Sequence, residues 1–449
     1  MKRILFPITM VILACSSLHA QQWTPSIANR AIYSVVANPL NPRTLYAGNM
    51  ARMFFKSTDA GVTWEELTIG SVGGESRIVL LAVHPRDTTV VFAGGIGLAG
   101  LQRSTDAGYS WEPVLTTPDG YRFELGGSSA LAFDPQHPDT AYCIRYQQGE
   151  VYWSTNAGAT WELRSTIPDI ESSDNLRAIT VCPDSSNIVI VSGRRCRIHR
   201  STDFGVTWTV HDSLNTTRDT DVGNFVWSPS NPAVLYATTQ KSLFYNAQNC
   251  GLYKSTDRGI SWNLHALTDT SVYALLIHST PKGEELYVGG NQIEYPADAA
   301  GKIKGDSIVV RSLAGLDTVY TDLSEIPWME SEIGDTVYNV WGFAVTHRNG
   351  FPVLIMATQG GLMESTHITD VADTRIFPGP QILRTGVDGF YAPDCTGNAI
   401  TYRVTDLLGC TVAAGTVAGG QYTEVPRTVG RPLFITLECS GINFNAVLR

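Results

Sequence analysis

The stretch Ser57-Thr58-Asp59-Ala60-Gly61-Val62-Thr63-Trp64 decides the architecture, because the chain carries it five times. The other copies are Ser104–Trp111, Ser154–Trp161, Ser201–Trp208 and Ser255–Trp262, and their first residues follow at steps of 47, 50, 47 and 54. Repeats of that length belong to propeller blades or solenoid units, each of which buries its apolar face only against a neighbour. Strand-like runs flank the motif, Met53-Phe54-Phe55-Lys56 before it and Thr63-Trp64-Glu65-Glu66-Leu67 after it, so it reads as a hairpin. Gly61, Gly108, Gly158, Gly205 and Gly259 occupy the turn position expected to need a positive φ. Asp59, Asp106, Asn156, Asp203 and Asp257, with the adjacent Ser and Thr residues, suit hydrogen bonds to turn backbone groups. Trp64, Trp111, Trp161, Trp208 and Trp262 are each expected to bury a ring between neighbouring sheets.

Working outward, an apolar strand, a proline-containing turn and a second strand precede each motif. Unit one reads Ile32–Pro39 then Thr44–Gly48, and unit two Leu80–Pro85 then Val90–Gly94. Leu131–Pro135, Ile179–Pro183 and Phe225–Pro229 open the next three. Two more units fit the template with decayed motifs. One uses Val272–Ile277, Leu286–Gly290 and Val309–Ser312; the other uses Trp341–Thr346, Val353–Thr358 and Gly361–Ser365. Ser312 and Ser365 then stand for the motif serines, at steps of 57 and 53. Seven units fall within the usual range of propellers. The seventh has no Trp after Ser365, but Trp23 stands alone before the first strand, so 22–26 is expected to supply the missing outer strand and close the ring. Six blades with an insertion at 295–306 is the alternative count.

The spacing S-x-D-x-G-x-[TS]-W resembles the Asp-box, or BNR repeat, of sialidases, xyloglucanase-type glycoside hydrolases, sortilin-like receptors and a photosystem assembly factor. The resemblance implies an all-β chain with a seven-bladed β-propeller over 21–374. It also implies that the box is a turn at the blade periphery, with a structural rather than catalytic or calcium-binding aspartate.

The ends read differently. Residues 1–20 have a Lys2-Arg3 start, an apolar run and a small-residue finish at Ala20, the pattern of a secretory signal peptide. A lipoprotein site at Cys15 is the alternative. No other apolar stretch approaches the ~20 residues of a membrane span. From Phe377-Pro378-Gly379-Pro380 the repeat stops, and 375–449 forms a final module. Its Tyr402–Gly409, Gly430–Glu438 and Ala446–Arg449 resemble strands of the C-terminal sorting domain of the type IX secretion system. That resemblance implies a small β-sandwich, the secretion machinery as partner, and a place outside or on the outer surface of a Gram-negative cell of the Bacteroidetes kind. A fibronectin-like binding module is the other reading.

Composition narrows the function classes. The hydrophobic fraction of 43% suits a packed β core, and the net charge of −10 without a basic patch excludes a nucleic-acid surface. The cysteines lack zinc-site spacing, so no metal or cofactor is expected. Cys182 and Cys196 are expected to pair across blade four in an oxidising compartment, and Cys395, Cys410 and Cys439 leave a further disulfide open. A monomer is expected.

The segments entering the inner strands converge on the propeller axis. Arg30, Arg77 and Arg177 stand there in an apparently shared register, with Arg122 and Arg218 slightly earlier. An inward-facing set would grip a carboxylate or sulfate, as the sialidase arginine triad does. The sialidase Arg-Ile-Pro motif and Tyr/Glu nucleophile pair have no counterpart, however. The other reading pairs these arginines with Glu75, Asp174 and Asp221. Glycoside hydrolysis needs two carboxylates roughly 5–10 Å apart, and the candidates are Glu75, Glu124, Asp174 and Asp221. Tyr33, Tyr121, Tyr273 and Trp341 would instead make a binding face, so the ligand-binding candidates are Arg30, Arg77, Arg177 and Trp341. The expected function is a secreted or cell-surface binding propeller for a glycan, peptide or envelope partner. The alternative is a sialidase- or xyloglucanase-like glycoside hydrolase, although the second propeller of the xyloglucanase type is missing.

Overall fold

The computed structural model describes residues 23–50, 53–70, 76–98, 100–116, 128–145, 149–168, 170, 175–214, 220–241, 249–280, 283–290, 309–313, 319–321 and 339–365. Beyond these it describes the strands 385–386, 389–391, 400–405, 411–417, 422–424, 433–439 and 442–448. The proposed signal segment with Cys15, and the insertion at 295–306, lie outside the described residues. Two compact units divide between Ile368 and Thr369.

The first unit contains seven four-stranded antiparallel sheets. Blade 1 runs Ser34–Ala37, Leu45–Gly48, Met53–Ser57 and Glu65–Thr68; blade 2 runs Arg77–Val83, Val91–Ile96, Leu101–Ser104 and Glu112–Leu115. Blade 3 is Leu131–Phe133, Ala141–Ile144, Glu150–Ser154 and Glu162–Thr166, and blade 4 is Leu176–Cys182, Ser185–Gly193, Arg197–Ser201 and Thr209–Ser213. Blade 5 is Thr220–Trp227, Leu235–Lys241, Leu252–Ser255 and Asn263–Ala266; blade 6 is Val272–Thr280, Gly283–Gly290, Val309–Leu313 and Val319–Thr321. Blade 7 takes Val340–Arg348, Phe351–Thr358 and Gly361–Ser365 from one end of the propeller sequence and its outer strand, Trp23–Ala28, from the other. Trp23 lies opposite Ser365 in that ladder, the closure anticipated from the lone tryptophan.

Register confirms the repeat. Each motif serine sits opposite the same second-strand position, in pairs such as Leu45–Ser57, Val91–Ser104 and Leu235–Ser255. Leu286–Ser312 and Leu354–Ser365 occupy the equivalent places, so both decayed motifs are true repeats. One residue further along the second strand, Tyr46, Phe92, Tyr142, Tyr236 and Tyr287 are buried between blades. Burial pushes the phenols of Tyr46 and Tyr142 up to about 12, which keeps both as hydrogen-bond donors. Two motif tryptophans meet the preceding blade edge-on, Trp111 against Phe54 at 5.5 Å and Trp161 against Phe92 at 6.4 Å.

Inside the box, the Ser57 hydroxyl donates to Asp59 (2.8 Å) and accepts the Gly61 N–H (2.8 Å), while Asp59 accepts the Thr63 N–H (2.9 Å) and hydroxyl (2.6 Å). The same bonds recur around Asp106, Asp203 and Asp257. Asn156 reproduces them with its amide, accepting from the Thr160 N–H at 3.0 Å and donating to the Thr160 hydroxyl at 2.8 Å. The turn is tighter than a single glycine position. The residue before each glycine is also left-handed: Ala60, Ala107, Ala157, Phe204 and Arg258 have φ between 55° and 68°. Backbone bonds hold them there, Ala107 N–H to Thr89 (2.8 Å) and Ala157 N–H to Asp139 (2.9 Å) among them.

The expected Cys182–Cys196 disulfide does not form. Cys143, Cys182, Cys196 and Cys250 are all buried thiols. Cys182 pairs with Ser185 at one end of blade 4, whereas Cys196 follows Gly193, which pairs with Leu176 at the other end. Six residues of strand separate those ends by about 20 Å, far beyond disulfide reach. The Cys182 thiol donates to Asp184 instead (3.1 Å).

The second unit carries a three-stranded and a four-stranded antiparallel sheet, the latter pairing Ile400–Thr405 with both Thr411–Val417 and Leu433–Cys439. Every regular element among the described residues is therefore a β-strand, as the repeat implied. Among the described residues no helix is long and apolar enough to cross a membrane.

The box geometry makes three stability predictions. A Cβ on Gly158 would come within 2.3 Å of the Phe92 ring, at φ +70°. Gly158→Ala should therefore lower stability by about 2 kcal/mol or more in urea unfolding. Ala157→Gly should be near neutral, because relief of its left-handed strain is offset by about 1 kcal/mol of extra unfolded-state entropy. The Thr207 hydroxyl first, then the Thr207 N–H and the Ser201 hydroxyl, hold the Asp203 carboxyl down to about 2 from 3.8. A depressed carboxyl stabilises the fold above its unfolded value and loses that contribution as pH falls from about 4 towards 2. Asp203→Asn, with the bonds that Asn156 already makes, should melt like the parent at pH 7 and lose less thermal stability between pH 4 and 2.

Candidate functional site at the axial mouth

Five of the seven inner strands start with a disturbance of their ladder. Register shifts place an extra residue at Val79, Arg177, Gly223, Tyr273 and Trp341. Tyr33 and Ser129 fall at the equivalent place, four residues before Ala37 and Phe133. A bulge leaves its residue unpaired and re-aims the side chain. Seven such residues, one per blade, therefore gather where the strands approach the axis.

Blades 6, 7 and 1 contribute aromatics in contact. Trp341 lies 5.5 Å from Tyr273, edge to face, and 5.6 Å from Tyr33. The Tyr273 hydroxyl accepts the Ser128 N–H of blade 3 at 3.2 Å, so this phenol crosses to the far side of the ring. Beside it, the Ser129 hydroxyl donates to Asn224 of blade 5. Gly223 is needed for the close approach, since a Cβ there would meet the Tyr273 ring at 2.8 Å.

Two residues before Gly223, Asp221 is 4% exposed and takes the Arg177 guanidinium at 3.0 Å. It also forms an isolated bridge with Arg194 of blade 4. Of the four candidate carboxylates, Asp221 alone lies among the described residues; Glu75, Glu124 and Asp174 do not. Tyr121, Arg122 and Arg218 are likewise outside them.

The three arginines do not share a register. Arg30, Arg77 and Arg177 stand seven, six and four residues before the equivalent Ala37, Val83 and Val181. Their surroundings differ accordingly. Arg30 pairs with Glu66 at 3.2 Å, both half-exposed, and lies 5.7 Å from the Phe55 ring. Arg77 is exposed and sits over the Tyr33 ring at 5.5 Å. Arg177 is committed to Asp221. Nothing in this arrangement makes a common anion cradle, while Trp341, Tyr33 and Tyr273 do come together as an aromatic face. Sequence reading missed the polar bridges Ser128–Tyr273 and Ser129–Asn224. Their signal was the polar pairs Ser128-Ser129 and Gly223-Asn224 at a strand start that is apolar in blades 2 and 7.

Comparisons with known proteins bear on this site. The family described as sortilin, neurotensin receptor 3, matches residues 149–287, which span blade 3 to the second strand of blade 6. The xyloglucanase Xgh74A of Acetivibrio thermocellus is 24% identical over 339 residues, covering 67% of this chain. The chain spans only 37% of that enzyme's length. Among solved structures, an ancestral GH74 enzyme superposes with a TM-score of 0.54 at 16% identity, covering 95% of this chain and 63% of its own. YCF48 bound to a D1 peptide gives 0.52 at 13% identity, over 80% of this chain and 98% of its own. These likenesses support a β-propeller fold, and xyloglucanases are among the proteins the chain is similar to.

The Arg177–Asp221 pair yields a direct test. Arg177→Met leaves a buried carboxylate without its guanidinium and should cost about 3 kcal/mol in denaturant unfolding. Adding Asp221→Leu should recover most of that loss.

Proposed function

We propose that the chain is an exported, carbohydrate-active propeller that takes a glycan at the axial mouth and cleaves a glycosidic bond there. The observation that carries the reading is the join between one carboxylate and one aromatic face. Asp221 lies two residues from Gly223, which packs on Tyr273, which touches Trp341. Aromatic rings suit the apolar faces of sugar rings, and a carboxylate supplies half of the pair that glycoside hydrolysis requires. Support also comes from the xyloglucanase matched over two thirds of this chain. The second carboxylate is to be sought among Glu75, Glu124 and Asp174. Export through the segment 1–20 and a type IX-like route read by 375–449 belong to the same proposal, as does an extracellular or outer-surface location.

A second reading, binding without turnover, is favoured by one contact. Asp221 is held by Arg177 at 3.0 Å, the setting of a carboxylate that positions its neighbours. YCF48, a single propeller covered over 98% of its length, is a peptide-bound example of the fold.

Reducing-end release from xyloglucan by the purified chain separates the two. Turnover is expected, with Asp221→Asn lowering kcat by 100-fold or more while the variant still melts cooperatively. Retention of xyloglucan in an affinity gel without any release, by parent and variant alike, would replace hydrolysis with binding.

A further inference from the structure

Among the described residues, box carbonyls join five of the seven neighbouring blade pairs. Blades 6 and 7 lack the motif: Ser312 is followed at box spacing by Ala314 and Leu316, and Ser365 by His367 and Thr369. The consequence shows at the buried phenols. Tyr46 and Tyr142 donate across the joint to box backbone, at Ala107 (3.2 Å) and Phe204 (3.3 Å). Tyr287 of blade 6 holds the same strand position, but its hydroxyl turns back into its own blade and donates to the Glu285 carboxylate at 2.7 Å. Its ring meets Phe343 of blade 7 at 6.3 Å. Glu284 serves the opposite flank, accepting the Ser228 hydroxyl (2.8 Å) and the Ser230 N–H (2.5 Å) of blade 5. Glu284 and Glu285 are only 7% and 3% exposed. Blade 6 thus relies on ionisable acceptors where the boxed blades offer peptide oxygens.

A histidine sits at the same place. His278, half-buried, lies directly opposite Glu285 in the ladder, a pairing that brings Cβ atoms to roughly 5 Å on one face of the sheet. His347 of blade 7 lies within its electrostatic reach. Arg311 is the ladder partner of Tyr287, and Arg348, beside His347, is turned to Glu364 and Ala60. Burial pushes the His278 imidazole below its ordinary value; Glu285 pulls the other way, and His347 adds to the depression. A histidine depressed on folding supports the fold above about pH 6.5 and withdraws that support as the pH falls. Its protonation puts a half-buried cation at a joint that has no box.

We infer that the joint between blades 6 and 7 is an acid-sensitive seam of the ring, which loosens below neutral pH while the boxed joints hold. The inner strands of these two blades carry Tyr273 and Trp341, so the aromatic face of the mouth spans the same seam. The seam stands whatever the mouth binds.

Hydrogen exchange of the full chain, read by mass spectrometry at pH 7.5 and pH 5 and corrected for the intrinsic rate, tests the seam. On acidification, protection over Val272–Thr280 and Val340–Arg348 should fall about 5- to 30-fold more than over Leu45–Gly48 and Met53–Ser57 of boxed blade 1. His278→Gln should remove that difference while leaving protection at pH 7.5 close to the parent's. His347→Gln, at an exposed position, should shrink it. Should His278→Gln fail to fold, His347→Gln carries the test alone. A loss of protection that is uniform around the ring overturns the seam, as does an undiminished response in the folded variants.

Discussion

The propeller depends on a carbonyl group that each Asp-box pushes outward. Two successive left-handed residues turn the peptide after Ala60, Ala107, Ala157, Phe204 and Arg258 towards the preceding blade. That blade supplies the donor. Arg348 reaches Ala60 (2.7 Å), Lys56 and Tyr46 reach Ala107 (2.9 and 3.2 Å), and Arg103 reaches Ala157 (3.2 Å). Arg164 and Tyr142 reach Phe204 (3.0 and 3.3 Å), and Arg200 reaches Arg258 (3.1 Å). Charged donors make the stronger hydrogen bonds of this kind. A box turn is thus complete only when the previous blade is in place, which couples the sheets around the ring. Ser, Asp and Gly recur in the motif because they hold the turn that presents this oxygen.

The architecture was legible because the repeat lies in local turn chemistry. The boxes gave the blade spacing, the apolar strand before each proline gave the inner ladder, and a solitary Trp23 gave the closure. Even Ser312 and Ser365, stripped of their motifs, kept their place opposite the second strand. The site was less legible, for a specific reason. A bulge adds one residue without altering the hydrophobic pattern around it. Arg177 looks aligned with Arg30 and Arg77 because an apolar run follows each. In the ladder, Arg177 is instead the counterpart of Tyr33 and Trp341. Long-range polar links such as Ser128 to Tyr273 leave only polar residues at a strand start as their signal, since their partners come from blades on opposite sides of the ring.

Scaffold and proposed site therefore occupy opposite ends of each strand pair. The box oxygens serve the joints between blades, where tyrosines and arginines are spent on holding the disc together. The axial ends carry the irregular residues: one aromatic trio, one buried ion pair and a set of small polar side chains. The motif stabilises the frame and leaves the bulged positions free to vary.

The shared sheet of blade 7 has a consequence for the life history of the chain. Bringing Trp23 opposite Ser365 closes a loop almost as long as the propeller, a step that by itself carries about 5 kcal/mol of entropy. Six stacked blades already hold the two ends close, so most of that cost is met before the last strand docks. The ring then behaves as a clasp. Arg348 fastens it by bridging Glu364 of the same blade to Ala60 of the next. Trimming that ran past Trp23 at one end, or into Gly361–Ser365 at the other, would open the disc. Either truncation would strip a strand from the same sheet.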